Sequence, residues 1–223
     1  MSNDSNLDMG LLESGLAQVV EVASYSSEAI FHDFYGYTEK QFDMAAVRGC
    51  PDELCDKVAD NVINWAKMQA ATVGAGFGTG GLLTIVPDLC AMATIILRGI
   101  SGVSIAYGFP VFTSAEKLEC VKAWGVSLGV SSIHKTLGEA FIKEGPKYVM
   151  RTPYSKSILM ATVKAIAKQL GLKVTKRWFV KAIPFVASVL GGALNYMWAD
   201  QALYTAKEYF QEKRKFCKAN QIW

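Results

Sequence analysis

The chain has 223 residues, 51% of them hydrophobic and only 19% charged, with a formal net charge of +3. That length supports one sizeable core, and the composition is greasy but short of an integral membrane protein. Two histidines and five scattered cysteines (Cys50, Cys55, Cys90, Cys120 and Cys217) argue against a zinc site and against a disulfide framework, so the thiols are expected to be reduced in a cytosolic compartment. Met1 to Asp8 is polar and holds two aspartates, unlike the basic-then-apolar run of a secretory signal.

Helix signals follow in chain order. After Asp8, MGLLESGLAQVVEVA carries apolar residues at helical spacing. His32 sits among Phe31, Phe34, Tyr35 and Tyr37, a cluster expected to pack an amino-terminal flap onto the rest. Thr38 and Gln41 have capping-box spacing. Pro51 suits the start of a helix, PDELCDKVADNVINWAKMQAA, with Leu54, Val58, Val62 and Trp65 on one face and Asp52, Asp56 and Asp60 elsewhere. Asp88 is expected to cap a long helix reaching about Tyr107, and Ser114 the next one. Ser155 is expected to cap SKSILMATVKAIAKQL, where Ile158, Leu159, Val163, Ile166 and Leu170 oppose Lys156, Lys164 and Lys168. A last helix is predicted from Asp200 to Lys215. No period-two alternation, repeat or low-complexity linker interrupts this pattern. The expectation is an all-α, single-domain helical bundle with two buried glycine-rich apolar segments, and an acidic helical flap at residues 1–50 preceding a main domain at 51–223.

The glycine run GAGFGTGG, residues 74–81, lacks both the G-x-G-x-x-G pattern and the Gly-Lys-Ser/Thr ending of a P-loop. Close helix crossing or a turn is the simpler reading, since no Cβ separates the backbones. Residues 78–97 and 178–197 are long enough to span a bilayer, but Pro87-Asp88 interrupts the first and Lys181, Pro184 and Gly191-Gly192 the second. Buried core helices are expected instead.

Charge is unevenly spread. Residues 1–62 hold twelve acids and three bases, and residues 143–223 hold fifteen bases and four acids. Either the two ends fold against each other, or the basic part faces anionic lipid headgroups. Lys164, Lys168, Lys173, Lys176, Arg177 and Lys181 are the candidate membrane-binding residues. No nucleic-acid motif accompanies them.

Asp88, Arg98 and Asn195 are polar exceptions among apolar residues, so burial is expected for all three, as core ties or as the polar floor of a ligand pocket. Cys90 lies near a helix start that would lower its pKa, although an isolated buried thiol more often serves packing. A catalytic reading would use Asp88 or His134 as acid/base, but no G-x-S-x-G elbow is present.

The run GGLLTIVPDLCAMATIILRGISGVSIAYGF resembles the EcsC family of bacterial proteins, through Gly80-Gly81, Pro87-Asp88, Arg98 and Ala106-Tyr107-Gly108. A second block resembles the family's carboxy-terminal pattern through Pro184, Gly191, Gly192, Asn195, Tyr196, Ala206, Phe210 and Arg214. Where the family pattern has an alanine between proline and aspartate, this chain has Pro87 directly before Asp88. The resemblance implies an all-helical, membrane-leaning protein of a family named after a gene beside an ABC transporter, and it supplies no reaction, catalytic residue or cofactor. With Tyr107 added from the motif, Asp88, Arg98, Tyr107 and Asn195 are the candidate ligand-binding residues. The expected function is a cytoplasmic, peripherally membrane-associated protein that meets anionic lipid. A lipid- or acyl-directed enzyme and a protein-interaction module regulating a transporter are the alternatives.

Overall fold

A computed structural model describes residues 8–23, 26–36, 43–77, 85–130, 155–177 and 184–222. The described residues form eight helices and no strand: α1 (Met9–Val22), α2 (Ser27–Asp33), α3 (Met44–Gly49), α4 (Asp52–Phe77), α5 (Ile85–Ala106), α6 (Ser114–Ser127), α7 (Lys156–Arg177) and α8 (Pro184–Ala219). The all-α expectation is met, within one bundle.

Local chemistry sets most of the starts. The Asp8, Ser26 and Asp43 side chains accept from the amides of Leu11, Ala29 and Ala46, which caps α1, α2 and α3. Thr113, one residue before the expected Ser114, caps α6 in a capping box with Glu116. The Thr38/Gln41 pair lies outside the described residues. α5 begins at Ile85, so Asp88 stands inside its first turn rather than at the cap. Pro87 fits there because the first four amides of a helix lack intrahelical partners anyway. α8 starts at Pro184 and runs unbroken for 36 residues, through Gly191-Gly192 and well past the predicted Asp200 start. Packing of its inner face outweighs the low helix propensity of the two glycines.

α5 is the central element, with α4, α8, α1, α6 and α2 against it. Its buried residues include Leu89, Met92, Ala93, Ile96, Leu97, Ile100 and Val103. It is long and apolar enough to cross a membrane, yet 72% of its apolar window is buried within the protein. Its outward stripe is Ala91, Thr94, Ile95 and Arg98, so Arg98 is exposed, contrary to expectation. Trp65 is likewise exposed on α4. The inward stripe there is Cys55, Val58, Ala59, Val62, Ile63, Ala66 and Ala70, one residue out of step with Trp65. α7 buries Leu159, Val163, Ile166 and Leu170 and exposes Lys156, Lys164 and Lys168, as its pattern predicts.

α4 and α8 run antiparallel with their backbones touching. An ideal Cβ on Gly191 would lie 2.5 Å from the Gly74 carbonyl oxygen, and one on Gly74 would meet the Gly191 carbonyl and the Asn195 side chain. The glycine-rich run therefore contributes, at Gly74, a close helix crossing. Further along, Gly99 of α5 admits Leu203 of α8 and Ala66 of α4. Gly74→Ala or Gly191→Ala should destabilise the protein by about 1–3 kcal/mol in denaturant melts, because backbone cannot yield as a side chain does. Gly49→Ala, whose added methyl would meet open space, should be neutral or slightly stabilising.

Candidate functional site

The interface between α4 and α8 carries a ladder of polar pairs in antiparallel order. Asp52 accepts from Arg214 Nε at 2.7 Å and Lys218 Nζ at 2.6 Å. Asp56 accepts from Gln211 at 2.9 Å, Asp60 from Lys207 at 2.6 Å, and Asp200 from Lys67 at 2.7 Å. The next step is the Gly74–Gly191 crossing, which has no charge at all. The acidic amino-terminal half thus folds against basic residues of the last helix, the first of the two readings of the charge asymmetry.

Arg214 is the most connected member. Its guanidinium is buried and also donates to the carbonyls of Val47, Arg48, Cys50 and Tyr107. Those carbonyls end α3 and α5, where helix dipoles leave negative charge. The α5 end is a Schellman turn: Phe109 N–H reaches Ser104 O at 3.0 Å, Gly108 N–H reaches Ile105 O at 2.9 Å, and Gly108 has φ +88°. Tyr107, fully buried, donates to Asp56 at 2.5 Å. Burial and the Asp56 carboxylate push its pKa upward, so it stays a donor. Tyr35 ties α2's end to the same place through Ala106 O at 2.7 Å.

A second buried cluster joins α6 to α8. Lys213 Nζ lies 2.7 and 2.8 Å from the two Glu119 oxygens, and Tyr209 donates to Glu119 at 2.5 Å. Lys213 also sits 4.3 Å from the Phe109 ring centroid. Glu119, in the second turn of α6, is thus a buried partner of Lys213. All five thiols have pKa values raised chiefly by burial, so Cys90 is shifted opposite to the expectation from its helix start.

The four candidate ligand residues do not converge. Asp88 and Tyr107 stand at opposite ends of α5, about 28 Å apart along its axis. Asp88 is partly buried, and Asn195 is buried beside Gly74, where its Nδ2 makes no hydrogen bond with the described residues. Of the basic candidates, Lys164 is exposed and 3.9 Å from Glu13, and Lys168 is exposed. Lys173, Lys176 and Arg177 occupy the last turns of α7, and Lys181 lies outside the described residues. His134 also lies outside them, while His32 is exposed and bonds Asp33 at 2.9 Å. Among the described residues no group of three His, Cys, Asp or Glu is placed to hold a metal ion.

The constellation that sequence reasoning missed is around Lys67. Its ammonium lies 5.1 Å from the Tyr196 ring and 5.2 Å from the Tyr204 ring, beside Asp200. Burial works to lower the Lys67 pKa, but hydrogen bonds to Asp200 and Tyr196 prevail and raise it, so the lysine is charged. The available signal was the four-residue spacing of Tyr196, Asp200 and Tyr204, which puts all three on one face of a helix.

These features define a helical bundle whose α4–α8 pair is charge-paired at one end and uncharged at the other. The chain belongs to the EcsC protein family, whose model matches residues 17–214. The match reaches back into the flap and includes α1 from Ala17. No curated protein and no solved structure matches the chain.

Arg214→Ala should cost about 2–4 kcal/mol, because it leaves the carbonyls at the ends of α3 and α5 without their donor, and Arg214→Lys should recover little because an ammonium cannot reach the same spread of acceptors. Chemical denaturation of both variants checks this. Asp52 is held below its ordinary pKa of 3.8 by hydrogen bonds from Lys218 and Arg214. A depressed carboxyl adds stability above its unfolded pKa and loses it as pH falls through the folded one. The protein should therefore lose stability below about pH 4, and Asp52→Asn should flatten that acid limb of a melting-temperature profile.

Proposed function

We propose that this protein is a peripheral membrane protein that dips one end of its bundle into the surface of an anionic bilayer. The observation that carries the reading is the distribution of charge along the α4–α8 pair. Residues 68–87 contain no Asp, Glu, Lys or Arg, and neither do residues 182–199. The Gly74–Gly191 contact brings these two stretches to the same end, and the start of α5, with the partly buried Asp88 in its first turn, joins them there. At the margin of that end Met68 is 63% exposed and Met197 58% exposed.

The dimensions fit one leaflet. Lys67, the last charge on α4, stands ten residues before Phe77, about 15 Å along the axis. The hydrocarbon core of a bilayer is about 30 Å thick, so half of it is about 15 Å. Trp65, Tyr196 and Tyr204 are all partly open to solvent near the level where the charges begin, the depth that aromatic side chains with a polar edge prefer. Chain connectivity supplies the anionic preference. Only six residues separate the basic end of α7 from the start of α8, so that end lies within about 25 Å of it. Each Lys or Arg near a negative surface contributes about 1 kcal/mol. Such attachment is reversible and leaves the protein on the cytoplasmic face.

Co-sedimentation with vesicles tests the reading. Binding should be tighter to phosphatidylglycerol-containing vesicles than to neutral ones, and should weaken in high salt as the Debye length shrinks. Replacing Met68 and Met197 together by aspartate should abolish binding with little change in melting temperature, since both side chains are exposed. Replacing Lys173, Lys176, Arg177 and Lys181 by glutamine should remove the anionic preference and keep the fold. Failure of the wild-type protein to bind either vesicle would overturn the proposal.

A further inference from the structure

We propose that Lys67, Asp200, Tyr196 and Tyr204 form a binding site for a phosphoryl-amine zwitterion, the headgroup chemistry of phosphatidylcholine and phosphatidylethanolamine. As a lipid site this rests on the membrane reading above; as chemistry it stands on the cluster itself. Two tyrosine rings flank one ammonium at 5.1 and 5.2 Å, and one carboxylate lies 2.7 Å from it. Aromatic faces with a carboxylate are the recognition chemistry of organic ammonium ions. In this structure the cluster is filled by the protein's own lysine.

Exposure shows which part is open. The Lys67 side chain is only 7% exposed, while that of Asp200 is 41% exposed. Tyr196 and Tyr204 are also 41% exposed. The Tyr-Asp-Tyr face on α8 therefore looks outward, with the lysine ammonium tucked beneath it. A ligand ammonium can replace that of Lys67 against the rings and Asp200, like for like. The displaced Lys67, on a flexible four-carbon stem, then needs an anion. In phosphocholine and phosphoethanolamine the phosphate stands two carbons from the nitrogen and supplies it. Neither half suffices alone. A bare ammonium leaves Lys67 unpaired, and a bare phosphate that takes Lys67 leaves Asp200 unpaired and itself close to a carboxylate. The location agrees, because Lys67 and Asp200 are the charges that border the uncharged end, where headgroups would lie.

Titration of the full-length protein with phosphocholine, tetramethylammonium and inorganic phosphate at matched ionic strength tests the site, with the Tyr196 and Tyr204 side-chain NMR signals as the readout. Phosphocholine should bind and shift both tyrosines, and the other two should not. Asp200→Asn and Tyr204→Leu should each weaken it about tenfold or more, with folding monitored by melting temperature. The two variants perturb packing differently, so a fold defect in one leaves the other decisive. In a second arm, vesicles carry a fixed fraction of phosphatidylglycerol and a remainder of either phosphatidylcholine or an uncharged galactolipid. The wild type should prefer the former severalfold, and Asp200→Asn should lose that preference while still responding to the anionic lipid. Phosphocholine binding without vesicle binding would keep the site, assign it to a soluble zwitterion and defeat the membrane reading. Vesicle binding that ignores the remainder lipid, with no phosphocholine binding, would overturn the site and leave the membrane reading standing. Equal binding of phosphocholine by wild type and Asp200→Asn would overturn the proposal as well.

Discussion

The guanidinium of Arg214 is the constraint on which the rest of the bundle depends. One buried cation collects the ends of α3 and α5 and the start of α4, and it belongs to α8, the last helix. A fork of five N–H groups can satisfy several carbonyls at once, which no other side chain can do. Fixing that corner fixes the register of α8 along α4. From Arg214 the ladder reads outward through Gln211, Lys207 and Asp200, each matched to the next α4 residue on the same face. Ion pairs of this kind add little net stability when half exposed. Their contribution is to make a one-turn slip costly, since a slip would set carboxylates and ammonium groups against apolar neighbours.

The same register determines what happens at the far end. Charges are consumed in order until Lys67 and Asp200, and beyond them the helices meet at Gly74 and Gly191, with the neutral Asn195 beside them. Gly74 and Gly191 allow van der Waals approach without any polar partner. The α4–α8 pair is therefore polarised along its axis, with hydrogen-bonded pairs at one end and an uncharged backbone crossing at the other. Within this pair α4 carries no charge after Lys67, and α8 carries none before Asp200.

Much of the fold was legible because it rests on local rules. The α1 periodicity after Asp8 and the stripe on α7 follow from helical spacing, and both can be read one helix at a time. The misreadings share a different cause. Trp65 was assigned by helical spacing and Arg98 by its apolar neighbours in sequence, but their exposure is set by which helices lie against α4 and α5. Asp88 was assigned as a cap, whereas tertiary packing started α5 a turn earlier, with Pro87 tolerated among the partnerless amides. The ladder was visible only as an imbalance between the two ends of the chain, because pairing Asp60 with Lys207 spans 147 positions. Likewise, nothing local links Lys67 to Tyr196, Asp200 and Tyr204. Four-residue spacing put the last three on one face; only the antiparallel register brought a lysine beneath them.

That register explains why Lys67 is both a structural and a recognising group. Where the ladder meets the apolar crossing, the last cation has lost solvent but not yet its carboxylate. Two rings make up for part of the lost hydration, at the border with the uncharged part of the α4–α8 pair. Deeper along α4 a lysine would have no partner, and nearer Asp52 it would be one more rung. At this border its pairing can be exchanged without unravelling the helices, since Arg214 holds them from the other end. A group whose partner can be swapped while the fold is held elsewhere is the physical requirement for a binding site, and along the described α4–α8 interface Lys67 and Asp200 meet it best.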